Sequence, residues 1–311
     1  MFSIGGDKMK KYIAKRTLQI LITAVVIIIL LTTIFVHMPG DYASGFMGRE
    51  LKIHMRQELG LNLPKSVQIM NLVKIILTGK LFTIKSYAYG VPIGNVLLPV
   101  ATKSLFLYGI SFFLSSVISI FLGALTAWKG RSKLDIIVRI GCVLGISIPF
   151  VIADPIIEYY LFWVKRISYD TYDQYFLIRI NIVVMVLYML PLMTKYTRAI
   201  MIDVLSKDFI TTARAKGLRE FIIVFRHGMK NIYVELFTIM GVNINKILFY
   251  GFLIEAIFNY PGLGTLSTFA FKVRDYPLMI GCTVVTSLII IVFNYIFDIL
   301  AGLLNPIIKV E

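Results

Sequence analysis

Cysteine and histidine are scarce, at two and three residues in a chain of 311. Cys142 and Cys282 both fall inside apolar blocks, which leaves no disulfide framework and no zinc-type spacing. His37, His54 and His227 are scattered, with no pair at helical spacing, so no metal site is expected. Acids are also few: 17 Asp and Glu stand against 32 Lys and Arg, for a net charge of +15. Nucleic-acid binding would need a soluble basic domain to carry that excess, and none is present. Basic flanking of membrane helices accounts for it instead.

What the chain has is apolar length. Hydrophobic residues make up 58%, with a mean hydropathy of +0.82, too apolar for a soluble domain of this size. Thr17 to Val36, Ser104 to Trp128 and Met279 to Phe297 contain no charged residue. Each reaches the roughly 20 residues that a helix needs to cross a hydrocarbon core about 30 Å thick. The pattern predicts an all-α, polytopic membrane protein with six spans, near 17–37, 103–128, 135–163, 178–200, 234–257 and 278–303. The basic residues Lys8 to Arg16 precede the first span in the order of a signal peptide. The apolar run is too long for one, and no small-residue cleavage site follows, so a retained span is expected. Span three carries Pro149, Asp154, Pro155 and Glu158 and is predicted to bend.

Short basic loops set the orientation. Lys129, Arg131 and Lys133 lie between spans two and three. Eight basic residues from Lys195 to Lys230 face three acids between spans four and five. Both connections are expected in the cytoplasm, with both termini on the same side. The organisation expected is a first span plus a long extracytoplasmic loop over 1–102, a five-helix core over 103–303, and a short tail over 304–311. Within the long loop, 46–59 and 66–78 read as short amphipathic helices, separated by Leu63-Pro64 and ended by Gly79. They either lie on the membrane surface, cap the mouth of a pore, or serve as a solvated connector.

The connection 203–231 is much longer than a turn between adjacent helices requires. It reads as helix, break, helix: Asp208 caps a short helix through Lys216, Gly217 ends it, and a second helix starts at Leu218. Ala213 and Ala215 are small enough to let the helix sit deep in a partner's groove. Phe209 and Ala213, four apart, share one face, with Arg214 and Lys216 supplying charge around it. By pattern alone this is either an ordinary surface helix or a lever that passes a partner's motion to spans four and five.

The run Asp208-Phe-Ile-Thr-Thr-Ala-Arg-Ala-Lys-Gly217, followed by His227 and Asn231, resembles the EAA loop of binding-protein-dependent ABC importer permeases, in the dipeptide, oligopeptide and nickel branch. Further matches follow in chain order: Phe35-Val-His-Met-Pro-Gly-Asp41, Glu58-Leu-Gly-Leu61, Glu255-Ala-Ile-Phe-Asn-Tyr-Pro-Gly-Leu-Gly264, Arg274-Asp-Tyr-Pro277 and Asn305-Pro306. The resemblance implies a type I importer permease fold that pairs with a second, homologous permease. It also implies two cytoplasmic ATPases gripping the EAA loop and an extracytoplasmic substrate-binding protein. On this likeness Asp208, Thr212, Ala213, Arg214, Ala215, Lys216 and Gly217 form the ATPase contact. The chain has no Walker-type phosphate loop, which fits ATP and magnesium being held by the partner ATPases and no cofactor by this chain. Three features depart from the family: Glu235 stands where a proline is usual, Gly79-Lys-Leu-Phe replaces a Gly-Asp-Leu-Gly pattern, and the loop between spans three and four is short.

Charges inside the spans bear on the path. Lys246 lies about 18 Å into span five, near mid-membrane. A charge at that depth costs about 2.5–3.5 kcal/mol and needs a partner or water. Asn243 and Lys246, with Glu255 further out, are the candidate translocation-path residues. Lys246 either offers a positive charge to a substrate carboxylate or is bonded to backbone carbonyls or an acid of the second permease. The implied function is ATP-driven uptake of short peptides, nickel or a metal chelate. The alternative is an intramembrane enzyme such as a lipid transferase or protease. For that, Asp154 and Glu158 are the only carboxylate pair in a span, and no histidine accompanies them. A passive channel leaves the elaborate 203–231 segment unexplained.

Overall fold

A computed structural model describes residues 4–38, 53, 56, 62–164 and 174–304. Among these the chain is helices joined by turns and short connections, with one isolated β-bridge between Lys85 and Pro92. The helices are α1 (Ile4–His37), α2 (Lys65–Leu77), α3 (Ile93–Trp128), α4 (Lys133–Ser147), α5 (Phe150–Tyr159) and α6 (Gln174–Leu205). They continue with α7 (Asp208–Ala215), α8 (Met229–Ile257), α9 (Leu263–Val273) and α10 (Tyr276–Leu304).

Among the described residues, four unbroken stretches are long and apolar enough to cross a bilayer: Lys10–His37, Ile93–Trp128, Phe176–Leu205 and Tyr276–Leu300. Two bent pairs, Lys133–Ser147 with Ile152–Tyr159 and Glu220–Gly241 with Asn243–Ile257, bring the number to six when each counts as one crossing. These are the six segments expected from the apolar windows, with longer ends. α3 starts at Ile93 rather than 103 because Pro99 removes one backbone bond without ending the helix. Span three bends by 98° where Pro149 stands before the first residue of α5. The helix expected over 66–78 is α2, closed by Gly79 at φ +72°. The one expected over 46–59 lies outside the described residues, apart from helical Ile53 and Arg56.

The chain separates into two compact units that do not follow sequence order: 106–260 with 1–9 and 296–311, and 10–105 with 261–295. In the second unit, α2 turns Gln68, Leu72 and Ile76 inward, one residue per helical turn. Asp275, fully buried just before α10, fastens the 62–92 segment. Its carboxylate accepts from the Leu278 N–H at 3.1 Å, the Ser86 hydroxyl at 2.5 Å and the Ala88 N–H at 3.0 Å. The Arg274-Asp-Tyr-Pro277 run therefore serves the fold directly, because one aspartate both starts a helix and holds a distant turn.

In the first unit α6 is the central helix, packed against both α4 and α8. Small residues set how close its neighbours come. A Cβ on Gly123 of α3 would sit 2.6 Å from the Cβ of Thr197 and 2.9 Å from the Arg198 nitrogen. On Gly145 of α4 it would sit 2.5 Å from the Cγ of Pro191. Only glycine permits these approaches, the usual device for helix packing where lipid provides no hydrophobic drive.

Candidate functional site

The segment between α6 and α8 builds from its glycine outward. Gly217 has φ +75°, a conformation that costs other residues about 1–2 kcal/mol. There the Gly217 N–H donates to the Arg214 carbonyl at 2.9 Å, and the Leu218 N–H donates to the Ala213 carbonyl at 3.4 Å. This bond pair closes a helix with a left-handed residue and caps its last carbonyls. The turn therefore falls at the expected glycine. The start of α7 differs by one residue: Lys207 holds the N-cap position without a side-chain capping bond, and Asp208 is the first helical residue, where its charge suits the positive end of the helix dipole.

Only two α7 side chains are buried, Ile210 and Ala213, and both pack with Ile223 from beyond the turn. Phe209 and Ala213 thus do not present one face. Phe209 is 40% exposed and Ala213 only 8%, because Ile223 takes the groove beside Ile210. Asp208, Thr212, Arg214, Ala215, Lys216 and Gly217 are all exposed. The seven residues assigned to the contact divide into one that anchors α7 and six on its surface.

After the turn, a short helix (Glu220–Ile222) runs into a π-helical stretch (Ile223–Gly228) that leads into α8. Arg214 donates to Glu220 across the turn, Nε to Oε1 at 2.7 Å. An aromatic series then joins the segment to α3. Trp128 meets Phe221 at 6.2 Å between ring centroids, Phe221 meets Phe225 at 4.7 Å, and Phe225 meets Phe121 at 5.6 Å. Beneath them Ala124 of α3, Met201 and Val204 of α6, Val224, and Ile232 of α8 form one buried cluster. A cleft of about 470 Å³ opens between Trp128, Leu205 and the Arg214–Glu220 pair. The smaller Ile210–Ala213–Ile223 group that anchors α7 adjoins this cluster through Leu205, which packs against both.

The three candidate path residues separate by exposure. Asn243 is 5% exposed, and its amide donates to the Ile239 carbonyl at 2.8 Å. Glu255 is fully buried. Lys246 is exposed, on a face of α8 that also carries Asn231, Glu235, Thr238, Asn245 and Phe249. α8 runs unbroken through Glu235, so the missing proline leaves a continuous helix there. It bends by 49° between Gly241 and Asn243, one turn before Lys246. Of the two carboxylates that an intramembrane enzyme would need, Asp154 is fully buried and Glu158 half-buried.

Residues 119–310 match the family described as binding-protein-dependent transport system inner membrane component. The chain belongs to this family. The match takes in the whole of the 203–231 segment and all of α4 to α10. Full-length relatives extend the likeness to the N-terminal part. The oligopeptide transport system permease protein AppB of Bacillus subtilis is 31% identical over 313 residues, covering 96% of this chain and 99% of that protein. The glutathione transport system permease proteins GsiC of Pectobacterium atrosepticum and Salmonella typhi are 32% and 30% identical, each covering 97% of this chain and 99% of its own. The chain is a permease subunit of an ABC importer, a multi-pass membrane protein whose family role is transport rather than catalysis.

Within this permease, sequence reading missed one constellation. Asp135, at 1% exposure, accepts from Arg198 twice, from Nε at 2.7 Å and from Nη2 at 3.1 Å, and from the Arg131 N–H at 3.1 Å. Arg139 stands 3.4 Å away. The local signal was present: Ser132-Lys-Leu-Asp135 is a helix-start pattern, and the Ser132 hydroxyl does cap α4 by accepting from the Asp135 N–H. Nothing local points to Arg198, 63 positions away.

Proposed function

We propose that this permease, paired with a second homologous one, forms the path for short peptides in an importer driven by two cytoplasmic ATPases and fed by an extracytoplasmic binding protein. Peptide cargo is favoured over nickel or a metal chelate because the relatives carry oligopeptide and glutathione transport in their names, and glutathione is itself a small peptide. The ATPases hold ATP and magnesium, and this chain binds neither. The basic loops support a cell-membrane location with both termini and the 203–231 segment in the cytoplasm.

The observation that carries the coupling role is the construction of α7. A two-turn helix leaves Phe209, Thr212, Ala215 and Lys216 exposed while Ile210 and Ala213 pack on Ile223 and Leu205, and Leu205 in turn packs on the core that α3, α6 and α8 share. Such a helix suits a partner's groove on one side and transmits force on the other. Lys246 and the polar face of α8 support the path assignment. An uncovered Asn, Glu, Thr and Lys face is costly against lipid and suits water or a second permease.

Ala215→Glu and Phe209→Asp alter the exposed face of α7 without touching its buried anchor. Co-purification of the ATPases with the assembled permeases should be lost in both, and their retention in both would remove the coupling assignment. The cargo is read by binding of dipeptides, oligopeptides and nickel to the cognate binding protein.

A further inference from the structure

α4 is fixed to α6 at two levels. At one, Gly145 lies against the ring of Pro191. At the other, the Asp135 carboxylate holds Arg198 through two nitrogens. Contacts at two heights prevent both sliding and rotation of one helix on the other, which a single contact does not. α3 joins at the second level, since Gly123 lies against Thr197 and the Arg198 backbone. Arg198 is thus a common joint of α3, α4 and α6, about 10 Å along α6 from Leu205, where the chain leaves for α7.

The chemistry of the joint is costly for mere stability. A nearly fully buried carboxylate loses its hydration, and replacing such a pair by well-packed apolar side chains is often neutral or stabilising, so the pair is weak evidence for a stability role. What a bidentate arginine–carboxylate contact supplies is geometry. Beyond Gly145, span three turns by 98° at the Pro149 elbow, and α5 stays in touch with α6 through the side chains of Asp154 and Tyr188. That elbow is the first point in span three at which motion relative to α6 can be taken up.

Resting on the coupling role assigned to α7 above, we propose that Asp135 and Arg198 are a positioning pair for transport. They oblige α4 to follow α6 when α7 is driven, so that displacement arrives undiminished at the Pro149 elbow. Without the pair, the ATPase stroke still moves α6 but slips past α4, and hydrolysis is uncoupled from transport.

The experiment uses the complete importer in proteoliposomes, with both permeases, the ATPases and the binding protein, and reads peptide transported per ATP hydrolysed. The key variant is the doubly neutral Asp135→Asn/Arg198→Gln, which leaves no unpaired buried charge. It should assemble, hydrolyse ATP at near the wild-type rate, and transport about ten-fold less peptide per ATP, the size of a typical coupling between sites. Asp135→Glu, which keeps the charge and the arginine contact, should restore much of the ratio. A doubly neutral variant with a wild-type ratio overturns the proposal, as does one whose transport and hydrolysis fall in parallel. If Asp135→Asn/Arg198→Gln does not assemble, Arg198→Lys serves in its place. It keeps the charge but loses the two-nitrogen contact, and it must lower the same ratio for the proposal to stand. Ala215→Glu is run alongside. If it releases the ATPases while the doubly neutral importer stays coupled, the pair's role alone fails; if it releases nothing, the α7 coupling role fails.

Discussion

Arg214 and Glu220 meet across the Gly217 turn, with Nε 2.7 Å from Oε1 and Nη2 3.4 Å from Oε2, and both side chains line the cleft beneath α7. Each is a little over 40% exposed, so the pair is solvent-screened and worth at most about 1 kcal/mol to stability. Its consequence is angular, since it holds the Glu220 helix at a set distance from α7. Glu220→Gln should therefore change the thermal midpoint little while weakening association with the ATPases. A wild-type association constant in Glu220→Gln would show that the angle is held by the Ile210–Ala213–Ile223 contact alone.

Gly217 tests the turn itself. No atom lies within 4 Å of the place a Cβ would occupy, so a side chain there meets a conformational cost and no clash. Gly217→Ala should cost about 1–2 kcal/mol of local stability, and Gly217→Asn clearly less, because asparagine tolerates the left-handed region. Hydrogen exchange over Asp208–Leu218 reports it: protection should fall in the order Gly, Asn, Ala. Equal exchange in the asparagine and alanine variants would mean that φ is not what limits the turn.

The features legible in the sequence are those that depend on neighbours in the chain. The six spans follow from apolar windows, the elbow from Pro149, and the end of α7 from Gly217, each dictated within a few residues. The inward turn of Ala213 was not legible. α7 has eight residues, too few for periodicity to choose between a face centred on Phe209 and one centred on Ile210, and the choice is made by Ile223 beyond the turn. Arg198 finding Asp135 is the same kind of fact at longer range. Asn243 and Lys246 lie about 60° apart around an ideal helix, which the sequence reads as one face. The burial boundary of α8 passes between them, and where it passes is set by packing against α6.

Two glycines with the same local propensity should respond oppositely to alanine. At Gly123 the new methyl group meets Thr197 and the Arg198 backbone, and α3 must move away from α6. Overpacking of this kind costs about 1–3 kcal/mol. At Gly109, also on α3, the space is open, and alanine gains about 0.5–1 kcal/mol of helix propensity. Thermal midpoints of the purified permease complex in detergent should fall for Gly123→Ala and hold or rise for Gly109→Ala. A fall at both would place Gly109 against another subunit.

Asp275 holds the 62–92 segment by hydrogen bonds to the Ser86 hydroxyl and the Ala88 N–H, so removing its acceptor should loosen that segment first. Asp275→Ala leaves the buried Ser86 hydroxyl and the buried Leu278 N–H without this acceptor, at about 1–3 kcal/mol each, and Asp275→Asn retains one acceptor and should cost less. Limited proteolysis at Lys80 and Lys85, both exposed, measures the loosening. Cleavage should be fast in Asp275→Ala, intermediate in Asp275→Asn and slow in wild type. Identical rates in all three would mean that the apolar contacts of Leu81 and Ile93 suffice to hold the segment.

Lys246 distinguishes a path-lining charge from a subunit-pairing one. It is exposed on α8, one turn beyond the bend at Gly241. If the ammonium faces the path, Lys246→Met leaves the complex intact and slows transport of peptides with a free carboxylate, while amidated peptides that have no carboxylate to offer are slowed less. If instead it binds an acid on the second permease, the methionine variant leaves that acid unpaired, at a cost of several kcal/mol, and the permease pair dissociates on purification. Transport of free and amidated peptides, measured beside recovery of the second permease on pull-down, separates the two. Full recovery with undiminished transport of both peptides would mean that Lys246 carries neither role and reaches along α8 toward the interface with its ammonium in water.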